Sequence, residues 1–99
     1  MDADALRASL TGGEPPKGLP GPVAAMWHAA KGEWDKAHAI VQEDESKAAA
    51  WVHAHLHRIE GDEANAGYWY RRAGEPHDKG PLEEEWELIL AGLKAMGDQ

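Results

Sequence analysis

The chain contains no cysteine, which excludes disulfides and thiolate metal sites. That absence suits a reducing compartment, and cytoplasmic residence is the expectation. Phenylalanine is absent as well, while tryptophan occurs five times, so the aromatic share of any core must rest on indole rings. No apolar run approaches the ~20 residues of a membrane-spanning helix. The acidic opening Met1-Asp2-Ala3-Asp4, with no apolar stretch behind it, predicts no secretory signal. Positive charge is scarce: ten Lys and Arg stand against eighteen Asp and Glu, a net charge of −8. Such a balance repels phosphate backbones and anionic lipid surfaces, so neither nucleic acid nor membrane is an expected partner. Catalytic vocabulary is thin too. The only serines are Ser9 and Ser46, neither in a nucleophile-elbow context, and Gly12-Gly13 lacks the Lys and Ser/Thr of a phosphate loop.

What is present reads as helix throughout, in one domain covering residues 1–99. Residues 1–10 form a short helix with Asp2 and Asp4 near its start and Leu6 and Leu10 on one face. The Pro- and Gly-rich stretch up to Gly21 is an irregular connection. From Pro22 to Gly74 four amphipathic segments follow. The first carries Val23, Met26, Trp27 and Ala30; the second, about 33–43, carries Trp34, Ala37, Ile40 and Val41. The third, up to about Glu60, carries Ala49, Val52, Leu56 and Ile59; the fourth is capped by Asp62 and carries Ala66, Trp69, Tyr70 and Ala73. After the turn around Pro76, residues 81–97 form a last helix with Leu82, Trp86, Ile89, Leu93 and Met96 as its stripe. Its first turn bears Glu83-Glu84-Glu85, read as facing solvent and the helix dipole.

Two segments match each other at one offset: Lys31-Gly32-Glu33-Trp34-Asp35-Lys36-Ala37 and Glu60-Gly61-Asp62-Glu63-Ala64-Asn65-Ala66. Gly32-Glu33-Trp34-Asp35-Lys36-Ala37 resembles the Gly-Asp-Tyr-Asp-Glu-Ala core of a tetratricopeptide repeat. Gly61-Asp62 with Ala66, Trp69-Tyr70 and Ala73 resembles a second copy. Tyr68-Trp69-Tyr70-Arg71-Arg72-Ala73 is similar to the end of a Sel1-like repeat. The resemblance spans about Val23 to Gly74. It implies an all-α fold of two antiparallel helical hairpins closed by a C-terminal capping helix, because stacked repeats need their open end covered.

The third helix holds the candidate sites. With Ala49, Val52, Leu56 and Ile59 inward, Trp51, His55 and Arg58 occupy one flank and His53, His57 and Glu60 the other. The family resemblance implies a concave groove lined by the first helix of each hairpin. Trp51, His55 and Arg58 then form a partner-binding face with Met26 beside them, suited to a peptide or partner protein. On the other flank, His53 and His57 have the four-residue spacing that turns two imidazoles toward one ion. His28 holds the place in its repeat that His57 holds in the next, and would approach from the neighbouring helix. The leading expectation is therefore a non-enzymatic protein- or peptide-binding scaffold module needing no cofactor. A histidine-rich zinc-binding or enzymatic domain using His53, His57 and His28 is the alternative. Self-association through an exposed end face is the third.

Overall fold

A computed structural model describes residues 2–97 of the chain. Among them are six α-helices and no strand: α1 Ala3–Ala8, α2 Gly21–Ala30, α3 Trp34–Val41, α4 Lys47–Ile59, α5 Glu63–Ala73 and α6 Leu82–Gly97. The all-α expectation holds, with every boundary within about two residues of the pattern. The caps explain the boundaries. Asp2, Ser46 and Asp62 each accept a backbone N–H from the first turn of α1, α4 and α5 respectively. The two matched turns have the same backbone geometry. Gly32 and Gly61 take positive φ, 78° and 85°. The next amide in each bonds back across the turn, Glu33 to the His28 carbonyl at 2.9 Å and Asp62 to the His57 carbonyl at 2.8 Å.

The most extensive helix contacts are α4 with α5 and α2 with α3. α4 also meets α2, α3 and α6, so it is the central helix. Residues Ala49 through His57 are all buried, on every side of α4. No stripe-and-flank arrangement survives there. Ile59, Leu82 and Met96 were expected inward, yet they are 39%, 37% and 39% exposed. All three stand at or next to helix ends.

Indoles fill the core as composition required. Trp27, Trp51 and Trp86 are buried. The Trp27 N–H donates to Ser9 Oγ at 3.0 Å, which docks the N-terminal segment on α2. The Trp86 N–H donates to the Met26 carbonyl at 2.9 Å, which docks α6 on α2. Gly92 on α6 lies flat against the Trp51 ring, where a Cβ would come within 2.3 Å of it. Only a residue without a side chain lets α6 approach α4 this closely.

Candidate metal centre

The two flanks of α4 have different surroundings. On the first, α6 covers the residues expected to line a partner groove. Met26 is fully buried, Trp51 is 7% exposed and His55 is 2% exposed. Arg58 reaches across to α6 instead of to solvent. The expected groove face of Trp51, His55, Arg58 and Met26 is therefore corrected: it is an internal interface. The cause is Glu85, which sits on the apolar side of α6 between Leu82 and Ile89 and is 1% exposed. Its carboxylate accepts from His55 Nδ1 at 2.6 Å, from Arg58 Nη1 at 2.9 Å and from the Tyr70 hydroxyl. Arg58 Nη2 also donates to the Gly80 carbonyl at 2.6 Å. Burial works against the charge on Glu85. The hydrogen bonds from His55, Tyr70 and Arg58 outweigh it and hold the carboxyl below its ordinary range. The reading of Glu85 as a solvated, dipole-facing residue is corrected with it; Glu83 and Glu84 do remain exposed.

On the second flank, imidazoles meet imidazoles. His53 and His57, one turn apart on α4, lie with rings nearly parallel, 22° between planes and 4.9 Å between centroids. Opposite them α3 presents His38, whose Nε2 is 3.0 Å from His53 Nε2. One ligating nitrogen from each of the three residues falls within 4.8 Å of the others. Two indoles frame the cluster. Trp69 of α5 stacks on His53 at 3.8 Å, and Trp34 of α3 stacks on His38 at 4.6 Å. Trp34 is held in turn by its N–H, which donates to the Leu56 carbonyl at 2.7 Å.

Electrostatics favour the neutral form of His53 and His38. Burial pushes His53 down to about 4, and the neighbouring His38 and His57 add to the shift. His38 is lowered too, first by burial and then by His57. His57 turns Nδ1 to the Glu60 carboxylate at 2.5 Å, which leaves Nε2 as the nitrogen open to a ligand. His53 Nδ1 is buried without a hydrogen-bond partner, an unusual state for an imidazole nitrogen.

No protein-family model, curated protein or solved structure matches this chain. The site's chemistry therefore rests on its own geometry.

His28 does not join the cluster. It bonds through Nδ1 to Glu33 at 2.9 Å in the turn between α2 and α3, with its ring edge-on to Trp27. The repeat offset pointed to the equivalent position on α2, but the His53–His57 flank faces α3 and α5, so the third imidazole comes from α3. His38 carries a sequence signal of its own. It lies four residues after Trp34 and three before Val41, on the inward face of its own helix. A second group, His57 with Glu60 and Asp62, shares one residue with the triad. Asp62 is already committed there, accepting from the Asn65 amide at 3.2 Å and its side chain at 2.8 Å.

Proposed function

We propose that the protein binds a divalent transition-metal ion through His38, His53 and His57, with zinc the reference ion. The observation that supports this reading is the convergence of three imidazoles from two helices, with one nitrogen of each within 4.8 Å of the others. Ligands at ~2.0–2.1 Å from a tetrahedral zinc lie about 3.3 Å from each other. The His38–His53 separation of 3.0 Å is close to that edge. The His57 nitrogen lies within 4.8 Å of both others, so a side-chain movement suffices to bring it to that edge.

Three imidazoles without thiolates suit zinc, copper, nickel or cobalt rather than magnesium or calcium. Two further features support the site. The His57–Glu60 contact is the carboxylate–imidazole pair that usually orients a ligating histidine. The lowered basicity of His38 and His53 keeps protons from competing for the lone pairs near neutral pH.

Isothermal titration of the metal-stripped protein with zinc tests the reading. One ion per chain should bind, thermal stability should rise with zinc, and a chelator should reverse the rise. Both His38→Ala and His57→Ala should abolish the tight site. Wild-type protein without a stoichiometric site, or variants that bind as wild type does, would refute it.

A further inference from the structure

A second feature lies on the opposite flank of α4 and is independent of the histidine triad. Between the N-terminal segment, α2, the end of α4 and the start of α6 runs a cleft of about 660 Å³. Leu10, Ile59 and Leu82 supply apolar surface, and Glu83, Glu84 and Glu87 stand around it. Ile59 and Leu82 are among the few large apolar side chains that remain more than a third exposed among the described residues. Both belong to helical stripes that would ordinarily face a core. Here they face one opening.

The charge at that opening has one sign to spare. Glu85 is taken by Arg58 and Glu87 by Arg7, at 2.9 Å in each case. Glu83 and Glu84 have no cationic partner among the described residues, and both are exposed. Arg7 also shows how the cleft holds a cation. Its guanidinium lies 5.0 Å from the centroid of Trp86 while it bonds Glu87.

We propose that this cleft docks a basic amphipathic helix of a partner protein. Apolar side chains of that helix would rest on Leu10, Ile59 and Leu82, and its Lys or Arg residues would meet Glu83 and Glu84. The acidic rim and the chain's net charge of −8 select a cationic partner and speed its encounter. The backbone of the occupant follows from the surroundings. The cleft is walled by helices and irregular chain and offers no strand edge. A helix satisfies its own amides and carbonyls and asks no backbone partner of the cleft. Nucleic acid and anionic lipid are repelled by the same rim.

The test uses a fluorescein-labelled peptide of about 14 residues, long enough to become helical on binding. It carries Leu on one helical face and Lys on the other. A control of the same composition has its leucines scattered around the helix. Fluorescence anisotropy is read at an ionic strength of about 0.15 M, where loose charge attraction is screened. Wild type should bind the amphipathic peptide and induce its helical circular dichroism, and the scattered control should bind several-fold more weakly. Glu83→Gln/Glu84→Gln should lose roughly five-fold in affinity, as exposed ion pairs do. Ile59→Ser, at a half-open position that should not disturb folding, should lose a similar factor. No binding by wild type, equal binding of the control, or indifference of both cleft variants would each overturn the proposal. Displacement of the peptide by an equal concentration of hexylammonium would also overturn it and reassign the cleft to small organic cations. A His57→Ala variant should bind the peptide as wild type does, which separates this site from the metal centre.

Discussion

The two flanks of α4 carry similar side chains and have opposite fates. His55 and Arg58 on one flank meet a buried carboxylate, and Tyr70 of α5 completes the network. His53 and His57 on the other meet His38, and one imidazole nitrogen is left buried and unpartnered. The first flank is a clamp: the Glu85 carboxylate collects three donors, leaving only Arg58 Nε without a hydrogen-bond partner among the described residues, and the network fastens α6 to α4 and α5. The second has lone pairs to spare and no anion at its centre. Residue type alone does not separate a clamped histidine from a candidate ligand. What separates them is whether the neighbouring helix supplies a carboxylate or another imidazole.

The largest effect should come from breaking the clamp. Glu85→Ala leaves Arg58 and Tyr70 buried without their acceptor, and removing one partner of a buried ion pair costs about 3–5 kcal/mol. For a domain of this size that is a large part of the total stability. Urea denaturation should show a strongly lowered midpoint or a chain already partly unfolded. His38→Ala, on the other flank, should cost no more than about 1–2 kcal/mol while removing zinc binding. Equal destabilisation by the two would erase the distinction between clamp and site.

Acid should next separate the flanks by window. His53 in the folded protein titrates at about 4 against an ordinary 6.5. The unfolded chain therefore takes up this proton first, and stability must fall as pH drops from 6.5 toward 4. The loss should reach about 2–3 kcal/mol near pH 4, and His53→Gln should flatten that limb. Glu85 acts lower. Its folded-state acidity is strengthened, so its contribution is present above the ordinary carboxylate range and is lost only as pH falls through and below it. Chemical denaturation from pH 7 to pH 4.5 checks the first limb; a flat profile there would contradict the burial of His53 as a neutral group.

The smallest effects test the surroundings of the proposed metal centre. Glu60→Gln keeps a hydrogen bond to His57 but removes the charge, and zinc affinity should weaken roughly ten-fold. His28→Ala should leave zinc affinity unchanged, since His28 is committed to Glu33. A loss with His28→Ala and none with Glu60→Gln would mean that the ion sits near α2 and not within the triad.

Much of this architecture is written in local sequence. The cap at Asp62, the turn glycines and the 3.6-residue periodicity are local properties, governed by neighbours within a few residues. So they were legible. The pair His53–His57 was legible for the same reason, being one turn of one helix. The burial of Glu85 was only half legible. It occupies an apolar-stripe position of α6, but its place in a run of three glutamates reads as solvated.

By itself, then, the sequence determined an all-α chain, its element boundaries, its indole-rich core and one half of a histidine site. Tertiary structure alone decided which flank of α4 would be covered and by what. It brought His38 to His53 in place of His28, and it turned Trp51, His55 and Arg58 inward under α6. The physical reason is that a buried polar group takes its meaning from the partner across the interface. That partner lies 15 residues away for His53 and 30 for His55, beyond the reach of any local pattern.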